Sequence, residues 1–299
     1  MQTTDNVIDK IKKIPVFYHI PKNAGTYVSD LMLLSFRYYR RTYTNWLRTY
    51  IPERDSIKCL QVIKDGFVVA KLLVGDPNSF CEHNLKFIKK HSKTEWDIQL
   101  EDILPEALTK VFLFGVIVEG RGFKINNLIL NLLNDYIPHQ FLILREPFSR
   151  AQSLYDYIKS ERSIREHTHG IIEADTFEDY ILSEQLEDSW IIRNLIQVEN
   201  SIPLNEQHFN NAVDMLSRFN IYSIENTTQA VQEAFLTCYD FDILKVKLKN
   251  SDEVHKNEGK KDNKLQLENL SPKIQQTFTN RAFWDNKLYK TLMKVIHFK

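Results

Sequence analysis

Cysteine is scarce in this chain. Cys59, Cys81 and Cys238 are odd in number and far apart. That excludes a disulfide framework and offers no metal-ligand spacing, so a reducing cytoplasm is the expected compartment and no metal is expected. A surplus of charge is missing too, because 39 Lys and Arg balance 39 Asp and Glu. Non-specific nucleic-acid binders need a basic surplus to displace counterions, which excludes nucleic acid as the expected partner. A local basic patch for a small anion is still allowed. Long apolar runs are absent: Val111–Val118 falls far short of the roughly 20 residues that cross a bilayer. The opening MQTTDNVIDKIKK lacks the apolar core of a signal peptide, so a soluble protein without a transmembrane segment is expected. No internal repeat and no long low-complexity segment occurs.

What is present is a mixed α/β pattern over 299 residues, long enough to bury a substantial core. Ile14–Ile20 is a short apolar run ending in a Pro-Lys-Asn-Ala-Gly turn and predicts a buried strand. Thr26–Tyr39 follows with Val28, Leu31, Met32 and Phe36 at helical spacing. Gln61–Asp76 has a Lys-Asp-Gly turn between two β-rich runs, which predicts a hairpin on the edge of the fold. Val111–Val118 and His139–Leu144 read as further strands, and residues 123–136 as a helix. Pro147 opens a helix to about Ile158, since proline is well tolerated in a first turn. Helices are predicted over 176–186, 189–199 and 205–218, a strand over 219–224, and two helices starting near Pro272 and Arg281. Strands alternating with helices imply a parallel sheet, with ligands at the carboxyl ends of its strands.

Two strand-to-helix junctions stand out. In the first, Ala24 and Gly25 let backbone N–H groups approach an anion, and the following helix adds unpaired donors and a positive dipole end. Lys22 brings a mobile charge and Thr26 a hydroxyl. The order differs from a Walker A loop, where the lysine follows the glycines. By itself this segment fits an anion site and a structural turn with an N-cap threonine equally well. In the second junction Arg145 lies at the end of a strand, and Ser153 lies two turns into the helix opened by Pro147. Arginine offers a planar fork for phosphate oxygens and serine a neutral donor; an Arg145–Glu146 pair and a packing serine are the plain alternative. Together the two junctions suit a ligand with two separate anionic groups.

His19-Ile-Pro-Lys-Asn-Ala-Gly-Thr26 resembles the 5′-phosphosulfate loop of sulfotransferases. Leu144-Arg-Glu-Pro147, with Arg150, Ser153 and Tyr155, resembles their 3′-phosphate motif. The similarity is to the branch containing heparan sulfate uronyl 2-O-sulfotransferases. Weaker echoes are TFEDYI at 176–181, FNIYSIEN at 219–226 and WDNKLYKTL at 284–292. The resemblance implies an α/β, P-loop-like three-layer fold with a central parallel sheet flanked by helices. It further implies a single domain over 1–299, with a hairpin insertion at about 59–76 and a cofactor-covering loop at about 245–266. The implied donor is 3′-phosphoadenosine 5′-phosphosulfate, with 3′-phosphoadenosine 5′-phosphate as product. Lys22, Asn23, Ala24, Gly25, Thr26 and Tyr27 would hold its 5′ side, Arg145 and Ser153 its 3′-phosphate. Lys256 and Asn257, in the basic stretch through Lys261, would close over it. Tyr27 stands where the family has Ser or Thr. The branch's base is a histidine after the second strand, and residues 112–119 contain none.

The implied reaction is in-line displacement at sulfur by an acceptor hydroxyl, expected on a carbohydrate. Lys22 would stabilise developing charge and assist the leaving group. His19 and Glu119 are the candidates for the base, with His167 and His169 as possible borders of the acceptor pocket. An atypical nucleotide kinase and a non-catalytic nucleotide- or glycan-binding protein are the competing readings. The acceptor and the oligomeric state are not legible from these residues.

Overall fold

The computed structural model describes residues 13–43, 58–64, 67–75, 87–89, 95–99, 113–119, 133, 136–160, 172–245 and 265–296. The chain divides into two compact units, one of residues 1–143 and 225–256, the other of 144–224 and 257–299.

The first unit is built on strands β1 (Lys13–Tyr18), β2 (Lys58–Lys64), β3 (Phe67–Val74), β4 (Phe87–Lys89), β5 (Glu95–Gln99), β6 (Leu113–Val118) and β7 (Ile137–Leu144). They run in the order β4–β5–β2–β3–β6–β1–β7. Every residue of β6 and all but the first of β1 are buried, which is why both read as continuous apolar runs without alternation. β1 pairs in parallel with β6 and β7, but β3 is antiparallel to both β2 and β6. The sheet is therefore mixed, which corrects the expected parallel sheet. The predicted hairpin is β2–β3, yet it lies inside the sheet and not on its edge. Its apolar residues explain this: Leu60, Val62, Leu72 and Leu73 are all buried, a pattern an edge hairpin would not need.

Helix α1 (Gly25–Tyr43) follows β1. Its Phe36 is fully buried, and Gly115 on β6 makes room for it, since a Cβ there would lie 3.1 Å from the Phe36 ring. Helix α6 (Thr227–Tyr239), which the sequence reading left unassigned, packs on β1 and α1 through Val231, Ala234 and Phe235. The Tyr239 hydroxyl ties it to the sheet by donating to the Phe114 carbonyl.

The second unit contains α2 (Pro147–Ile158), α3 (Phe177–Leu182), α4 (Trp190–Ile196), α5 (Glu206–Leu216), the short strand β8 (Asn220–Ser223), α7 (Pro272–Arg281) and α8 (Phe283–Ile296). Phe148, Tyr155, Phe177, Ile181 and Phe278 form its aromatic-rich core. Arg281 staples this unit. Its guanidinium donates to the carbonyls of Ile181, Ser183 and Leu186 and pairs with Asp188. Removing it would strand several carbonyl acceptors at the end of α3. Arg281→Ala is expected to destabilise the unit by about 2–4 kcal/mol, read as a lower urea midpoint with an unchanged slope.

Among the described residues no helix is long and apolar enough to cross a membrane.

Candidate functional site

β1 and β7 are parallel neighbours in the register Tyr18↔Leu142, so their carboxyl ends meet at one edge of the sheet. The chain leaves β1 through a tight loop. The His19 N–H first continues the ladder by donating to the Val118 carbonyl at 2.9 Å. The Asn23 N–H then closes a turn on Ile20 O at 3.0 Å, and α1 begins with Val28 N–H on Ala24 O.

Within that loop Lys22 (φ 70°) and Ala24 (φ 60°) both adopt left-handed backbone. A non-glycine residue at positive φ is uncommon and costs about 1–3 kcal/mol, so two within three residues require compensation. Asn23, between them, supplies it. Its side chain is fully buried, and Nδ2 donates to the Ile143 carbonyl on β7 at 2.9 Å. Its Oδ1 is buried without a hydrogen-bond partner among the described residues. Alternating backbone hand turns successive N–H groups toward one side, the geometry of anion-binding nests. Directly behind stands the N-terminus of α1, whose first turn carries no acidic residue to repel an anion.

Gly25 has a separate role. A Cβ at this position would lie 1.9 Å from His19 Nε2 and 2.2 Å from the two flanking ring atoms. The imidazole thus occupies the space a side chain would need. His19 Nδ1 is 3.7 Å from Glu119 Oε1, and Lys71 Nζ is 3.2 Å from the same oxygen. Glu119 itself is anchored by its N–H on Val69 O. Burial would push the Glu119 carboxyl up, but His19 and the Lys71 ammonium outweigh it and hold it at about 2. Its ionised form therefore contributes stability above the ordinary value of 4.5, lost as pH falls toward about 2. Glu119→Gln should be less stable than the parent near neutral pH, with the gap narrowing below about 4.5 and closing as pH approaches about 2 in urea titrations.

The first unit thus brings together Lys22, Asn23, Ala24, Gly25 and Thr26 in one loop, with His19 and Glu119 beside it. Thr26 is exposed at the start of α1. The Tyr27 hydroxyl lies 3.0 Å from Thr228 Oγ1, a hydrogen bond that joins α1 to α6. Lys71 was missed by sequence reasoning. It sits mid-strand in an apolar run, and only the β3–β6 register Ala70↔Val118 carries it to Glu119.

In the second unit, Arg145 directly follows β7 and Ser153 is half-buried on α2. Glu146 caps that helix, its two oxygens accepting from the Phe148 and Ser149 N–H groups at 2.9 and 2.7 Å. This cap is the local reason the strand turns into a helix three residues after Leu144. Lys256, Asn257, His167, His169 and most of the 245–266 loop lie outside the described residues. Compared with protein-family models, curated proteins and solved structures, the chain matches none of them.

Proposed function

We propose that the chain is a sulfotransferase that uses a P-loop-like site to move a sulfuryl group from 3′-phosphoadenosine 5′-phosphosulfate to a hydroxyl on a carbohydrate. The observation that carries this reading is the loop at residues 22–24. Two strained residues around a buried asparagine, at the head of a helix without acidic residues, form a rigid cradle for an anionic group. Its lysine precedes the glycine and stands where the resemblance assigns the 5′-phosphosulfate. Arg145 and Ser153 take the 3′-phosphate in this assignment.

The donor supplies a sulfuryl group on a phosphate leaving group; the protein positions and polarises. The acceptor oxygen forms its bond to sulfur in line with the departing bridging oxygen, whose negative charge Lys22 and the loop N–H groups stabilise. The acceptor proton must go to a base. In this reading His19, seated beside the loop, takes the proton, and Glu119, 3.7 Å from its Nδ1, orients the imidazole.

The test is transfer of radiolabelled sulfur from the donor to a panel of glycans and simple alcohols. Label in at least one acceptor, lost in Lys22→Ala, is the expected result. No transfer, combined with magnesium-dependent ATP binding, would move the assignment to a kinase.

A further inference from the structure

We propose that the second unit holds a binding site for a small carboxylate with an apolar body, centred on Arg150. This site shares helix α2 with Ser153 but uses none of the residues assigned to the donor. Arg150, on α2, is 5% exposed, and its guanidinium carbon stacks 3.7 Å from the centre of the Trp190 ring. It lines a cleft of about 300 Å³, the lower end of the size range of small-molecule sites.

The unusual feature is what the guanidinium does not touch. Its Nε and Nη2 atoms are buried without a hydrogen-bond partner among the described residues. These two nitrogens form one edge of the guanidinium, with parallel N–H groups spaced for the two oxygens of a carboxylate. Asp285, the acid whose charge acts most strongly on Arg150, does not fill that role. Asp285 is buried, and its two oxygens already accept from the Ile191 and Ile192 N–H groups at the start of α4, each at 2.9 Å. Burial lowers the Arg150 pKa to about 10, which still leaves it charged at neutral pH. A buried cation with two unmet donors is costly, and a ligand carboxylate on that edge would remove the cost.

The rest of the cleft narrows the ligand class. Glu187 also lines it, so the local field around a single arginine favours a monoanion over a phosphate dianion. Leu154, Ile158 and Ile172 give the cleft an apolar wall, and Tyr180 adds an aromatic one. A flat anionic head on Arg150 and a compact apolar body along that wall satisfy both.

Benzoate is the probe, titrated into the intact chain by calorimetry and tryptophan fluorescence. Saturable binding with a Kd below about 1 mM is expected. Arg150→Met should weaken it at least about tenfold, with some loss of thermal midpoint because the buried Asp285 loses a compensating charge. Arg150→Lys, which keeps the charge but loses the fork, should weaken binding by a similar factor. Glu187→Gln should tighten it about two- to fivefold by removing a like charge. If Arg150→Met does not fold, the Lys and Gln variants decide. No saturable signal up to about 10 mM benzoate in the folded wild type would overturn the proposal. Wild-type affinity in Arg150→Lys, or inorganic phosphate binding more tightly than benzoate in an Arg150-dependent way, would do so equally.

Discussion

Lys22→Ala is expected to lower kcat/KM for sulfuryl transfer by about 10²–10³, equivalent to about 3–4 kcal/mol of transition-state stabilisation. The substitution is well suited to the question because of the backbone. Lys22 has φ 70°, and alanine meets the same restriction there as lysine, so the loop conformation is not penalised further. The buried Asn23, which fixes the loop through Ile143, is untouched. Stability without ligand should therefore change by no more than a single part-exposed polar contact contributes, about 1 kcal/mol. Stabilisation by 3′-phosphoadenosine 5′-phosphate should vanish. In the wild type, ligand at a hundred times its Kd adds about 2.7 kcal/mol, a rise of several degrees in thermal midpoint. Loss of both activity and ligand shift with a nearly unchanged unliganded midpoint identifies an anion contact. A large fall in unliganded stability would identify a structural lysine.

Gly25→Ala should separate the roles of loop and histidine. A methyl group there cannot coexist with the present His19 ring, because the Cβ would sit 1.9 Å from Nε2. The imidazole must swing away, and with it goes its approach to Glu119 at 3.7 Å. If Gly25 serves to seat His19, kcat should fall at least about 100-fold while the Kd for 3′-phosphoadenosine 5′-phosphate changes little. His19→Ala should produce a loss of similar size, and combining the two should cost little more than either alone. If the glycine instead lets backbone approach the ligand, binding and turnover would collapse together, as in Lys22→Ala. The pattern of kcat against Kd thus distinguishes the two uses of one residue.

The parts of this molecule that were readable from sequence are those fixed by short-range rules. β1, β6 and the second half of β7, Phe141–Leu144, announce themselves as apolar runs because they are buried on both faces. Helix α2 has the predicted bounds, Pro147 to Ile158, because a proline in the first turn and the Glu146 cap define its start chemically. Helix α6 escaped although Val231, Ala234, Phe235 and Cys238 have helical spacing. Asn226-Thr-Thr-Gln229 has the spacing of a helix start, but Asn226 makes no side-chain cap, and a 3₁₀ turn at Ile224–Asn226 leads straight from β8 into the helix. Strands β4 and β5 were missed as well, being short and set in a polar stretch.

Neighbour relations across the sheet were the least legible. A hairpin pattern shows that β2 and β3 pair with each other, but nothing local states that β3 also pairs antiparallel with β6. The same long-range register brings Lys71 to Glu119. In the loop, the residue types pointed to an anion site, yet they did not reveal that Asn23 is buried against Ile143 or that Gly25 makes room for a histidine. The buried, unpartnered edge of Arg150 was equally invisible, since an arginine on a helix is ordinarily a surface residue.

The most direct test of the central claim, that residues 22–26 cradle an anion, is calorimetric titration of 3′-phosphoadenosine 5′-phosphate into wild type and Lys22→Ala without magnesium. The account predicts one saturable site in the wild type, with a Kd below about 100 μM, and weakening of at least about 100-fold in the variant. Absence of heat with the wild type at millimolar ligand, or equal affinity in the two proteins, would contradict it.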